Sequence, residues 1–252
     1  MSNISVLDKV LKPGIVSIDC PDGRFQHELV SPRSDKSCVL DLASPLYYPS
    51  SKSKIYDRSG YGSHGTITGA TWTRLPSGLW ALDFNSATPD YVEIPADQTQ
   101  LNFTSEAFSI IARIYIDDLT TSSWVFSRGH HSADGYYLFI TPEGRMVILT
   151  NQLGTNQASQ STLGGITAGN WYTIGLSRDG TSIIPYRNGV DVHSIVGTHT
   201  DPATCARTAK IGIRDTLADP FDGKMEFLAI FSGVALSASE HEVWHNKLSI
   251  LD

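Results

Sequence analysis

Cysteine is scarce: Cys20, Cys38 and Cys205 are the only three, too few for a disulfide framework and odd in number, so at least one thiol stays unpaired within the chain. Free thiols are the expectation. A Cys20–Cys38 bridge would need the N-terminal segment to fold back, and the spacing matches no metal or redox motif. Cations are outnumbered, 19 Lys and Arg against 26 Asp and Glu, for a formal net charge of −7. A chain without clustered basic residues lacks what holds a phosphate backbone, so nucleic acid is excluded as an expected partner. No run of about 18 apolar residues offers a membrane span. The opening MSNISVLDKVLKPGIVSID has no continuous apolar core of a secretory signal, so a soluble chain not exported by that route is expected.

Catalytic signatures are missing as well. Glycoside hydrolysis on a β-sandwich uses two carboxylates on one face of a strand, and no Glu-x-Asp-x-x-Glu run is present. Glu93 and Asp97 flank Pro95 at a strand end, Asp117 and Asp118 fall in a turn, and Gly-x-Ser-x-Gly is absent. A non-enzymatic protein is the expectation.

What remains is β-sheet material. With 40% hydrophobic and 18% charged residues, the 252-residue chain has ample apolar surface for a core, and from about residue 38 nearly every segment carries strand signals separated by turn residues. In AFSIIARIYID (107–117), Phe108, Ile110, Ala112, Ile114 and Ile116 alternate onto one face, which predicts a core strand; Ser109, Ile111, Arg113, Tyr115 and Asp117 make the opposite, wetter face. Asp179-Gly180 and Asn188-Gly189 predict two tight hairpins, hence a three-strand meander, with Pro185 marking its middle strand as an edge or bulged one. Helical periodicity is confined to the tail, where Ser237 and Glu240 form a capping box for a short terminal helix. Residues 1–36, with Lys-Pro-Gly and Cys-Pro-Asp-Gly turns, read as an N-terminal arm that docks on a neighbour or as appended strands; residues 37–252 form the main domain.

Two motifs imitate known sites. The glycines of GYGSHG (60–65) have dinucleotide-loop spacing, with Asp83 downstream, but that fingerprint requires a helix at the loop, and TITGATWT alternates like a strand. HEVWH (241–245) matches the zinc-protease pattern through His241, Glu242 and His245, yet it lacks a third ligand and a long core helix, so chance or a helix packed by Trp244 is the preferred reading. His130 and His131, adjacent on an extended chain, point to opposite sides and are expected to be solvated.

Several stretches, in this order, resemble the laminin-G-like, concanavalin A-like jelly-roll domains. YDRSGYGSHGTITGATW (56–72) resembles the family's Asp-x-Ser-Gly opening loop, and GLWALDFNSATPDYVEIP (78–95) its strand pair. FSIIARIYI (108–116) is similar to its first long core strand, and NWYTIGLSRDGTSIIPYRNGVDV (170–192) to its Asp-Gly and Asn-Gly meander, with Tyr172 in place of a usual His. AKIGIR (209–214) and FDGKMEFLAIFSGVALSASE (221–240) resemble its closing strands. The resemblance spans roughly residues 38–248 and implies an all-β, two-sheet antiparallel jelly-roll sandwich. The glycine loop is then a turn entering a strand.

The resemblance also implies a calcium ion held by Asp57, carbonyls near Gly60 and Ser63, and Glu226, although Ser63 and Met225 replace usual Asn and Asp ligands. The alternative is an Asx-turn in which Asp57 caps the N–H groups of Ser59 and Gly60 without metal. Among aromatics suited to stacking on sugars, Tyr47, Tyr48 and Tyr61 lie in turn-like contexts. Two functions follow as expectations. The first is a structural or decorating protein on the outside of a virion, anchored to assembly partners through the arm as part of an oligomer or assembly. The second is a carbohydrate-binding or adhesion module of a secreted or cell-surface protein.

Overall fold

The computed structural model describes residues 15–19, 25–29, 37–43, 49, 51–152 and 154–249. Its strands are β1 (Ile15–Asp19), β2 (Phe25–Leu29), β3 (Cys38–Ala43), β4 (Lys54–Ile55), β5 (Gly65–Thr68), β6 (Thr71–Arg74), β7 (Trp80–Phe84), β8 (Tyr91–Ile94), β9 (Phe108–Ile116) and β10 (Ser123–Arg128). They continue with β11 (Tyr136–Ile140), β12 (Met146–Gln152), β13 (Thr155–Ser161), β14 (Asn170–Asp179), β15 (Ser182–Arg187), β16 (Val190–Asp191), β17 (His193–Ile195), β18 (Ala209–Ile211) and β19 (Gly223–Ser232), followed by helix α1 (Ala238–Ser249). β1 and β2 pair with each other as an antiparallel hairpin. Cys20, Tyr47 and Tyr48 lie outside the described residues.

Among the described residues, one sheet has the order β17-β13-β12-β11-β10-β18-β8-β5-β4 and the other β16-β15-β14-β9-β19-β7-β6, with β3 added beside β19. Every pairing is antiparallel. The inward faces share one apolar core that includes Phe108, Ile110, Ala112, Ile114 and Ile116 of β9 with Phe126, Leu138 and Ile148 of the facing sheet. This is the expected two-sheet sandwich.

Turn chemistry explains the meander, with one shift. Asn188 and Gly189 both take positive φ, 51° and 79°, as a tight hairpin requires. Asp179, however, pairs with Ser182, so the first turn is centred on Gly180-Thr181, one residue later than the dipeptide suggests. Gly180 supplies the positive φ at its first central position, which fits a II′ turn. β15, which carries Pro185, is flanked outward only by the two-residue β16, and the Pro185 carbonyl accepts the Val192 N–H at 3.1 Å.

The outer face of β9 is not the wet surface that alternation suggested. Ser109, Ile111 and Arg113 are buried, because α1 lies across them and seats Trp244 and Leu248 against Ile111, Phe227 and Phe231. Ser237 and Glu240 close the capping box: the Ser237 N–H donates to Glu240 Oε2 at 2.8 Å and the Glu240 N–H to Ser237 Oγ at 3.3 Å. The helix also explains HEVWH. His241 is buried with Nε2 2.8 Å from Ser177 Oγ and its ring stacked 3.8 Å from Tyr186, while His245 Nδ1 meets Thr173 Oγ1 at 3.1 Å. Both imidazoles serve packing against the sheet. No group of three or more His, Cys, Asp or Glu residues that could hold a metal ion occurs among the described residues. Cys38 and Cys205 are free thiols, and burial pushes that of Cys38 up to about 12.

His199 is a second buried imidazole, held between Thr150 Oγ1 at 2.7 Å and Ser159 Oγ at 2.9 Å. Burial pushes both His199 and His241 down to about 4, so the folded chain keeps them neutral while the unfolded chain protonates near 6.5. Stability tied to these residues is complete above about 6.5 and is lost as pH falls towards 4, each contributing on the order of 3 kcal/mol. Thermal unfolding followed from pH 7 to 4 is expected to show this loss, with a shallower slope in His241→Asn; an unchanged slope in that variant would contradict the assignment.

Candidate binding site

Strand ends define one rim of the sandwich. Arg128 at the end of β10 pairs with Ala209 at the start of β18 and with Tyr136 at the start of β11, and Ala209 pairs with Ile94 at the end of β8. The connections 56–64, 95–102, 129–135 and 196–208 therefore meet at this end, and Arg128 ties two of them, 95–102 and 196–208, directly. Fully buried, it donates through Nη2 to the carbonyls of Ala96 at 3.1 Å and Gln98 at 3.3 Å, through Nε to Asn102 Oδ1 at 3.0 Å, and through Nη1 to the Arg207 carbonyl. Gln98 in turn accepts the Ser63 hydroxyl at 3.1 Å, which extends the tie to the opening loop.

In that loop the Asp57 carboxylate is the organiser. Oδ1 accepts the N–H groups of Asp41 at 2.9 Å and Ser59 at 3.0 Å; Oδ2 accepts the Ser59 hydroxyl at 2.7 Å and the Ser63 N–H at 2.9 Å. The Asp57 N–H donates to His64 Nδ1 at 3.0 Å. Gly60 and Gly62 take φ of 91° and 76°, and at Gly65 an added Cβ would lie 2.3 Å from Val92 Cγ1. All three glycines thus serve turn geometry and close approach, and a strand, β5, follows in place of the helix a nucleotide loop needs. The Asx-turn is present, with Ser63 in place of Gly60 as its second N–H donor. A carboxylate offers about four lone-pair sites, and here hydrogen donors take all four, so the set does not fit a calcium ion as it stands. Glu226 sits at the bulge of β19 between Met225 and Phe227 and lines a small cavity with Leu42 and Leu82. Tyr61 stands exposed, as does Tyr56, which packs edge-on against His64. Sequence reading singled out Tyr61 and missed Tyr56.

A second cluster was not legible at all. After β18, Gly212 at φ 82° turns the chain out over its own sheet, where the Ser127 hydroxyl donates to the Ile213 carbonyl at 3.1 Å. The segment 212–220 then meets the 129–135 loop, and His130 Nδ1 bonds Asp215 Oδ2 at 2.5 Å. Beneath them lies an aromatic floor: Trp124 stacks on Phe139 at 4.8 Å, Tyr137 packs edge-on at 5.2 Å, and the Arg214 guanidinium covers the Trp124 ring at 5.3 Å. His131 rests against both Trp124 and Tyr137, and burial holds it below the usual imidazole range. The expectation of two solvated histidines is thus corrected: one is latched to a carboxylate and the other is part of an aromatic cluster. Of the four non-glycine residues with positive φ among the described residues, three, Ser132, Leu217 and Asp219, lie in these two loops. Such strain persists only where surrounding contacts over-determine it. The latch fixes Nδ1 of His130 on a ring that stays half-exposed.

The family model for the concanavalin A-like lectin/glucanases superfamily matches residues 86–240. No curated protein matches the chain by sequence. Among solved structures, the binding domain of Paraclostridial Mosquitocidal Protein 1 superposes with a TM-score of 0.67 at 16% identity, covering 84% of this chain and 52% of that one. The binding domain of Botulinum neurotoxin DC, solved with rat synaptotagmin II, gives 0.63 at 14%, covering 84% and 52%. Trypanosoma rangeli sialidase, solved with the inhibitor DANA, gives 0.61 at 16%, covering 84% and 33%. The chain thus spans about half the length of the toxin domains and a third of the sialidase, and at these identities the likeness is one of fold.

Replacing Asp57 by Ala leaves four donors without their acceptor and is expected to cost about 2–4 kcal/mol, several degrees in Tm. Melting the unaltered protein in excess calcium and in EDTA should give superimposable curves; a calcium-dependent rise would restore the metal to this loop.

Proposed function

Because the chain belongs to the concanavalin A-like lectin/glucanases superfamily, we propose that it is a non-catalytic recognition module that engages a glycan or a glycan-bearing receptor through the rim just described. The observation that carries this reading is the pairing of exposure with rigidity. Tyr56 and Tyr61 are about half exposed on a loop whose turn is pinned by four hydrogen bonds to Asp57. Aromatic rings that are held in place bind at small entropic cost, and the latched His130 adds a directional polar contact. The relatives of known structure support the reading, since two are binding domains of toxins. Support for a non-catalytic role comes from the carboxylates the fold brings near one another: Asp83 and Asp117 both face Lys224, at 3.8 and 2.6 Å, an ion-paired arrangement unsuited to sharing acid and base work.

Where the module is mounted is a separate question. Residues 1–36 would anchor it on a viral particle as a decorating protein; within a longer secreted or cell-surface protein it would present the same rim. The toxin and sialidase relatives favour the second setting.

Binding to a glycan array and to intact cells is expected for the unaltered chain. Tyr61→Ala and His130→Ala should each weaken it about tenfold or more. Tyr61→Ala should leave Tm nearly unchanged because that ring is exposed, whereas His130→Ala also removes the partner of the mostly buried Asp215 and should lower Tm modestly. Binding that survives both substitutions, or no binding to either target, would remove the rim from the account.

A further inference from the structure

α1 covers only part of the outer face of its sheet. One register row beyond the helix, five strands place Trp171, Tyr115, Lys224, Asp83 and Thr71 side by side: Trp171 opposite Tyr115, Tyr115 opposite Lys224, Lys224 opposite Asp83, and Asp83 opposite Thr71. With strands about 4.8 Å apart the row is about 19 Å long. Its side chains are organised. The Trp171 and Tyr115 rings lie 5.4 Å apart, tilted by 57°; Arg113 supports the Trp171 ring at 5.4 Å, and Lys224 sits 5.1 Å from the centre of the Tyr115 ring. Lys224 is held by Asp117 and Asp83, and Asp83 accepts the Thr73 hydroxyl at 3.0 Å. Trp171, Tyr115, Lys224 and Asp83 are all part-exposed, so none of them is spent on the core.

From this row we propose a second binding site, separate from the rim, for a neutral, linear polysaccharide laid across the strands. The apolar C–H face of a sugar ring packs on an aromatic ring, and two tilted rings at one end of the row offer adjacent stacking positions. Lys224, Asp83 and Thr71 offer donors and acceptors to hydroxyl groups along the remainder. Charge selects the class: Arg113 and Lys224 balance Asp83 and Asp117 locally, and the chain as a whole carries −7, so a polyanionic glycan is repelled while an uncharged one is not. The extended row, longer than a single sugar, selects a chain over a free monosaccharide. The site does not use Tyr61 or His130, and it stands or falls independently of the rim.

The test is native affinity electrophoresis of the full chain through gels containing xyloglucan, mixed-linkage β-glucan, galactomannan or dextran, with polygalacturonate as the anionic counterpart. At least one neutral polysaccharide should retard the unaltered protein and the Tyr61→Ala variant alike, polygalacturonate should not, and Trp171→Ala should weaken retardation about tenfold or more. Lys224→Ala, which leaves both rings in place, should weaken it less, and it provides the reading if Trp171→Ala lowers Tm. Four results would overturn the site: no retardation by any neutral polysaccharide, retardation by polygalacturonate alone, equal retardation in both platform variants, or loss on Tyr61→Ala. A concentration-dependent dimer abolished by Trp171→Ala would equally overturn it, by making this face an interface between copies.

Discussion

The rim depends on one buried cation. The guanidinium of Arg128 lies where the sandwich core ends and the loops begin, with no exposed surface, and its hydrogen-bond acceptors are three backbone carbonyls and one side-chain amide. A buried charge without such partners is costly, so the loops that supply these oxygens are committed to their positions as firmly as the strands are. The forked planar donor set of arginine suits acceptors arriving from several directions, and lysine cannot reproduce it. From this point order spreads outward: Gln98 fixes Ser63, Ser63 donates to Asp57, and Asp57 sets the loop that displays Tyr56 and Tyr61. Arg178 repeats the device on the other sheet, buried beneath the carbonyls of Thr104 and Glu106 and paired outward with Asp201.

The fold was legible because it is written in local signals. Alternation in β9, turn dipeptides in the meander and the Ser237–Glu240 capping box each involve residues a few positions apart, and each appears in the structure close to where the sequence placed it. The errors have physical causes. Alternation assigns Ser109, Ile111 and Arg113 to an outward face correctly, but it cannot say that α1, more than a hundred residues later, will cover that face. The Asp179-Gly180 signal located a hairpin but not which residue takes the positive φ.

The site was much less legible, because its contacts span long separations. His130 and Asp215 are 85 positions apart, and nothing in SRGHHSADG or IRDTLADP states that the two loops meet. Their shared richness in turn residues marks them only as loops. The row from Trp171 to Thr71 is likewise assembled from five strands, and only the pairing register makes it a row. Asp57 is the exception: a short-range turn, visible in Asp-x-Ser-Gly, accounts for its carboxylate without a metal ion, and the distant Asp41 N–H completes it.

The central claim, that Arg128 holds the rim in one conformation, is tested most directly by amide hydrogen exchange on the Arg128→Lys variant. The account predicts that the amides of Leu101, Asn102 and Gly135, protected by rim hydrogen bonds in the native chain, exchange much faster, while those of β9 and β14 in the opposite sheet keep their protection. Unchanged exchange at these three amides would contradict it, and so would a uniform loss across both sheets, which would make Arg128 a support of the whole fold in place of the rim.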